Sequence, residues 1–268
     1  MKPSEGRRIL ITGASSGIGE ALAKEFASRG AHVGLLARRE PQLRRLRDSL
    51  RQAHPRQKFC CVAVDVRDSA ALETAVGSVI QELGGMDVAI ANGGIGEHRS
   101  AFSSHHWEIG RNILEVNLLG AIHTLEIAKS YWVKNQRSGQ LVGISSVAGA
   151  RGLPQIAAYS TSKEALAAYL EAIRGELATG GIGVLSIHPG YIRTPMTARN
   201  RFYMPWLMDA EKAARKIANA IEAEKKRYVF PVPMRFIYAF LRHVPGFLYD
   251  YETYRLAVRS RNKKKPTP

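Results

Sequence analysis

The chain has 268 residues, 45% hydrophobic and 23% charged, with a formal net charge of +16. That composition excludes a disordered or fibrous protein, and no run approaches the roughly 20 apolar residues a membrane-spanning helix needs. Residues 37–58 carry eight basic and two acidic side chains, residues 225–268 eleven and two, leaving about +1 elsewhere; charge this local, with no recognition module, argues against nucleic-acid binding.

The opening segment, MKPSEGRRILITG, has no uninterrupted apolar core of the secretory kind. A cytoplasmic protein is the expectation. The first predicted strand, 8–12, runs straight into Thr12-Gly13-Ala14-Ser15-Ser16-Gly17-Ile18-Gly19, and a helix is predicted over 17–29. Glycines there let the backbone turn tightly and approach a ligand, while the helix N-terminus offers free N–H groups to a pyrophosphate. The second strand, 32–37, ends in Arg38-Arg39, with no carboxylate before Glu40. Dinucleotide folds that take NAD(H) place an acid about 20 residues after the glycines to hold the ribose. A guanidinium suits a 2′-phosphate instead, and one charge-assisted hydrogen bond is worth roughly 1.5–3 kcal/mol. NADP(H) is therefore favoured over NAD(H). The competing reading assigns both arginines to the basic face of the next helix, 41–53.

Strands follow at 59–64, 87–91, 140–145 and 183–188, and helices at 69–83, 105–134 and 158–179. Continuous Val/Ile/Leu/Ala runs alternating with helices predict an α/β fold: a single-domain, Rossmann-like, doubly wound parallel sheet with helices on both faces. Cys60 and Cys61 fall in the apolar run FCCVAV, which suits a buried strand in a reducing compartment better than a disulfide. The eight histidines show no metal-ligand spacing, and His105, His106 and His188 read as structural. Beyond residue 191 the alternation fades. A long connection, 193–209, is followed by a helix over 210–224, the segment VFPVP, an apolar and basic stretch over 234–248, and a tail at 263–268 expected to fray.

The helix at 158–179 carries an unusual stripe. Leu166, Leu170, Ile173 and Leu177 mark its apolar side, and the same line extended backwards passes through Lys163 and Tyr159. Taken alone, the pair reads as an interfacial tyrosine with a snorkelling lysine.

The motifs stand in a telling order: Thr-Gly-xxx-Gly-x-Gly at 12–19, Ala-Asn-Gly-Gly at 91–94, Asn117, Ser145-Ser146, Tyr159-Ser-Thr-Ser-Lys163 and Pro189-Gly190. Over residues 7–195 the chain resembles the short-chain dehydrogenase/reductase family. That resemblance implies a dinucleotide-binding and catalytic core over 7–195 and a substrate lid with a C-terminal segment over 196–262. It implies that Gly13, Ser15, Ser16, Gly17, Ile18 and Gly19 line the cofactor's phosphates. Asp65 and Val66 would lie near the adenine, Asn92 and Gly94 beside the adenosine, and Pro189, Gly190, Ile192 and Thr194 toward the carboxamide. Tyr159 would exchange a proton with the substrate oxygen, Ser146 would hold that oxygen, Lys163 would bind the nicotinamide ribose, and Asn117 would organise a water-linked proton path. The 13-residue spacing to Tyr159 selects Ser146, leaving Ser145 to pack. Two departures stand out: Ala91-Asn92-Gly93-Gly94 where the family often has Asn-Asn-Ala-Gly, and Ser16 where NADP-preferring relatives often carry a basic residue. Arg38 is thus expected to carry most of the NADP preference, with Arg39 beside it.

Lys163 also has a physical reason to stand one turn from Tyr159. A free phenol, with a pKa of about 10, is a poor acid–base catalyst near neutrality. One charge about 4 Å away at an effective dielectric near 20 is worth roughly 4 kcal/mol, enough to draw the phenol toward neutrality before burial opposes it.

The expected enzyme is an NADPH-dependent reductase of ketones or aldehydes, or the reverse; the alternative is a non-catalytic NADP-binding regulator. Phe202 and Trp206, with Tyr203, Met204, Leu207 and Met208, suggest an apolar or lipid-like substrate, or packing against the core. The basic, aromatic segment 234–248 can lie on an anionic membrane surface, cover the pocket or pack in a dimer. A homodimer or homotetramer is expected by family analogy alone.

Overall fold

Seven apolar runs pair edge to edge in the computed structural model, which describes residues 4–96, 106–200 and 202–262. They are β1 (Arg8–Thr12), β2 (His32–Ala37), β3 (Phe59–Ala63), β4 (Val88–Ala91), β5 (Gly139–Ile144), β6 (Ile182–Pro189) and, last in the chain, β9 (Arg227–Phe230). All pair in parallel in the order β3-β2-β1-β4-β5-β6-β9. The order reverses between β1 and β4, so the carboxyl ends of these two strands part and leave a crevice between the loops that follow them.

Alternation along each strand divides the core between the two faces. Ile9, Ile11, Val33 and Leu35 join one cluster with α1 (Gly17–Ser28), α2 (Glu40–Ala53) and α7 (Ala210–Glu222). Leu10, Leu36, Ala89 and Leu141 join the other with α3 (Ser69–Leu83), α5 (Gly120–Lys134) and α6 (Ala157–Ala178). α2 shows why a run with so many arginines still folds as predicted. Leu43, Leu46 and Leu50 are buried at steps of three and four, and burying each contributes roughly 1.5–3 kcal/mol. α3 starts where Asp68 accepts a hydrogen bond from the Ala71 N–H at 3.0 Å and ends at left-handed Gly84. Cys60 is buried and Cys61 half-buried, both as free thiols; burial pushes Cys60 up to about 12, which leaves it unreactive.

Three features depart from the sequence expectation. The predicted 105–134 helix is α4 (His106–Leu114), a five-residue π turn (Glu115–Leu119) and α5; His105 lies outside the described residues. β9 was not anticipated, because RYVF is short, follows Lys225 and Lys226 and precedes proline. It adds a seventh strand beside β6, so the sheet draws on residues beyond the expected boundary at 195. The segment after it forms two helices, α8 (Val232–His243) and α9 (Gly246–Asn262); the 263–268 tail lies outside the described residues. A two-stranded ribbon, β7 (Ile192–Arg193) with β8 (Met208–Asp209), pins both ends of the long connection.

Candidate active site

The crevice at the sheet's switch point is a cleft of about 390 Å³ lined from Gly13 at one end to Met196 at the other. At its floor the ends of β1 and β4 are laced together. The Thr12 hydroxyl accepts from the backbone N–H of Asn92 at 3.1 Å and of Gly93 at 3.2 Å, and Asn92 Nδ2 donates to the Thr12 carbonyl at 3.0 Å. Gly13 turns the chain at φ +69°, and a Cβ there would lie 2.6 Å from Gly93 Cα. A Cβ on Gly19 would stand 2.4 Å from the Gly13 carbonyl oxygen and 2.5 Å from Asn92 Nδ2. Gly19 is absent from the cleft lining; it lets α1 start against the loop. Ser16 makes no side-chain cap on α1, so the first-turn N–H groups face the cleft and suit a pyrophosphate. The residues present therefore fit a dinucleotide.

Gly93 is different. Its φ is not positive, and a Cβ there would meet nothing closer than Thr12 Oγ1 at 3.6 Å. Gly93→Ala is expected to stabilise the protein by about 0.4–1 kcal/mol through the unfolded chain. A melting temperature below that of the parent in differential scanning calorimetry would contradict it.

At the adenosine end both arginines line the cleft with different partners. Arg39 donates to the Ser15 hydroxyl at 2.9 Å and to Ser16 Oγ at 2.6 Å, bracing the glycine turn from outside. Arg38 is also exposed, its guanidinium 3.8 Å from the Asp65 carboxylate. The Arg67 guanidinium, 2.7 Å from Asp65, holds that carboxyl below the usual range, with Arg38 adding to it. Glu40 is turned onto α2, 2.6 Å from Arg44. Val66 joins Arg38, Arg39 and Asp65 in the lining.

Ser146, Tyr159 and Lys163 meet at the other end of the cleft. α6 carries Tyr159 and Lys163 and is fastened by neighbouring serines. Ser145 Oγ donates to the Lys163 carbonyl at 2.7 Å, and Ser162 Oγ to the Tyr159 carbonyl at 2.7 Å. Ser145, expected only to pack, is thus a clamp on the helix. Asn117 sits in the π turn, fully buried. Its side chain closes a reciprocal pair with the backbone of Ile95, both bonds 2.8 Å, and donates to Ser162 Oγ at 3.2 Å. The extra residue of the π turn aims Asn117 inward, as such bulges commonly do at functional sites. The supporting hydrogen bonds of Thr12, Ser145 and Ser162 were not anticipated, although all three stand within the motifs quoted from the sequence.

The electrostatics correct one expectation. Burial pushes the Tyr159 phenol above its ordinary value, opposed by its hydrogen bond with Ser146. The Lys163 ammonium lies 5.9 Å from the centre of the Tyr159 ring and donates to the Ile144 carbonyl at 2.9 Å. In the resting protein burial outweighs any pull from that ammonium, and the phenol stays above its ordinary value. Burial instead lowers Lys163 itself to about 8.

Pro189, Gly190, Ile192 and Thr194 line the cleft, with Ile95, Met196 and Thr197 beyond them. Phe202 and Trp206 do not: Phe202 packs edge-on against Tyr191 at 5.9 Å, and Trp206 is half exposed.

A parallel sheet with a glycine-lined crevice at its switch point, and a serine, tyrosine and lysine gathered there, defines a dinucleotide-binding oxidoreductase of Rossmann-like architecture. The family model for short chain dehydrogenases matches residues 7–203, and the chain belongs to that family. An uncharacterized oxidoreductase of Myxococcus xanthus is 36% identical over 250 residues, covering 93% of this chain and 97% of the relative. A short-chain type dehydrogenase/reductase from Mycobacterium marinum superimposes with a TM-score of 0.75 at 27% identity, over 84% of this chain and 93% of the other. A short chain dehydrogenase from Mycobacterium paratuberculosis bound to NAD superimposes with a TM-score of 0.74 at 24% identity, over 85% and 96% of the two chains, which shows the shared fold.

Proposed function

We propose that this oxidoreductase is an NADPH-dependent reductase of apolar, lipid-like ketones or aldehydes, with Tyr159 as proton donor. The observation that carries the reading is the convergence of Ser146, Tyr159 and Lys163 at one end of a cleft whose other end fits a dinucleotide. When bound, the reduced nicotinamide supplies a hydride. Ser146 and Tyr159, both in the cleft lining, would point at the substrate oxygen, Ser146 orienting it and Tyr159 giving up its proton as the oxygen becomes a hydroxyl. A phenol held protonated by burial suits this direction of reaction. Lys163 would bind the nicotinamide ribose, and Asn117, which fixes the backbone beside Gly94, would hold the path by which the phenol regains its proton.

The preference for NADP(H) rests on two guanidinium groups in the adenosine lining and on Glu40 being engaged with Arg44. Arg39→Ala is expected to raise the KM for NADPH about tenfold while leaving that for NADH within about twofold, the worth of one charge-assisted hydrogen bond. Equal losses toward both cofactors would mean that Arg39 serves only to brace Ser15 and Ser16.

Substrate apolarity follows Ile95 and Met196 in the lining. The same reading makes the protein a cytoplasmic homo-oligomer peripheral to a membrane, with Leu119 and Val133 left exposed for a partner subunit. The test is NADPH consumption against carbonyl compounds graded in length and bulk. Turnover should rise with apolar size. Tight NADPH binding with no turnover on any compound would favour a binding protein without catalysis.

A further inference from the structure

Helical periodicity ordinarily hides its apolar stripe, yet two helices here present theirs to solvent. On α8, Val232, Phe236 and Phe240 recur every four residues with exposures of 67%, 70% and 69%. On α9, Phe247, Tyr251 and Tyr254 recur at helical spacing with exposures of 73%, 62% and 71%. Neither helix is loose. The opposite side of α8 is buried through Met234 and Tyr238. Arg151 Nη1 donates to the Leu241 carbonyl at 3.3 Å and to the Val244 carbonyl at the end of α8, and its guanidinium stacks 4.2 Å over the Tyr249 ring. Tyr249 in turn donates to the Gly152 carbonyl. Both helices are therefore docked with their aromatic sides outward.

We infer that the exposed aromatic faces of α8 and α9 form a dock for an anionic lipid bilayer. Charge favours an anionic partner over a second copy. Residues 225–268, the segment that carries both helices, hold eleven basic and two acidic side chains, and Arg235 stands exposed on α8 beside Phe236. An anionic surface would be attracted by the basic residues of this segment, while aromatic rings suit the headgroup boundary. No helix among the described residues is long and apolar enough to cross a membrane, which makes the contact peripheral. The dock also adjoins the cleft. A Cβ on Gly190, which lines the cleft, would lie 3.0 Å from Met234 Cγ and 3.1 Å from Pro231 Cδ. The back of α8 thus packs behind the Gly190 wall of the cleft, and its front would meet the bilayer. The usefulness of that placement rests on the lipid-like substrate proposed above; the dock itself does not.

The test is co-sedimentation of the full chain, without substrate or cofactor, with unilamellar vesicles of phosphatidylcholine alone or mixed with phosphatidylserine. Binding should require phosphatidylserine and weaken with salt. The variant Phe236→Ser/Phe240→Ser/Phe247→Ser should lose at least about tenfold in partitioning, the scale expected for withdrawn apolar area. Arg235→Gln should lose about fivefold, the scale expected for one basic residue at a charged surface. Circular dichroism melting shows whether each variant is folded; should the triple variant fail to fold, Arg235→Gln alone decides. Protein left in the supernatant at low salt, or partitioning unchanged in folded variants, overturns the inference. So does a dimer in analytical ultracentrifugation that dissociates in the triple variant, since that assigns the face to a second copy. Because no turnover is read, failure of the reductase assay and failure of the dock are separate results.

Discussion

Replacing Tyr159 by phenylalanine is expected to lower kcat for carbonyl reduction by roughly 10²- to 10⁴-fold, the usual worth of a positioned proton donor. KM should change little, and stability should fall by no more than about 1 kcal/mol, the worth of one polar contact of the phenol. The pH dependence sharpens this result. Burial holds the phenol protonated throughout the neutral range, whereas it lowers Lys163 to about 8. Below that value Lys163 is an ammonium, able to return a proton toward Tyr159 and to stabilise the phenolate left after transfer. Above it Lys163 is neutral and both contributions vanish. Reductive kcat should therefore hold steady at neutral pH and fall as pH rises through about 8. Initial rates at saturating NADPH and substrate measure the profile in the parent and in Lys163→Met. A descending limb that survives in the lysine variant would show that another group controls it. An unchanged rate in Tyr159→Phe would remove the tyrosine from the mechanism altogether.

Much of this was legible in the chain because buried parallel strands are continuous apolar runs and glycine turns leave a spelled-out spacing. The stripe that carried Tyr159 and Lys163 onto the inward face of a helix was equally plain, and Lys163 is indeed only 4% exposed. What escaped was set by partners distant in sequence. β9 is a strand because the edge of β6 accepts it, with Ser186 opposite Arg227 and Pro189 opposite Phe230; nothing within RYVF alone demands it. The influence of Lys163 on the phenol was misjudged for a related reason. Spacing places two residues on one face but does not fix where a long side chain ends, and here the Ile144 carbonyl captures the ammonium. The bonds from Arg39 to the hydroxyls of Ser15 and Ser16 join residues more than twenty positions apart, and no local pattern announces them.

His188, read from sequence as a structural residue, should set the protein's stability in mild acid. Its ring is fully buried at the end of β6, 4.9 Å from the Tyr238 ring on α8. Nδ1 lies 3.4 Å from the Ser146 carbonyl, and Nε2 is buried with no hydrogen-bond partner among the described residues. Burial, with lesser contributions from Arg227, Arg242 and Arg174, pushes the imidazole down to about 4, opposed by the Ser146 carbonyl. In the unfolded chain a histidine titrates near 6.5. Between these values the unfolded state binds the proton and the folded state does not, so stability is full above about 6.5 and declines as pH falls toward 4. The whole decline is on the order of 3 kcal/mol, of which about 2 kcal/mol is reached by pH 5. His188→Leu keeps the apolar contact with Tyr238 and removes the titration. Relative to the parent, the variant should therefore gain about 2 kcal/mol between pH 7 and pH 5, whatever its standing at pH 7. Urea denaturation of both proteins at the two pH values gives the difference directly, and the other histidines cancel in the comparison. A parent–variant gap independent of pH would mean that the ring finds a proton acceptor when charged. It would then no longer be the neutral wedge that joins Ser146 to α8.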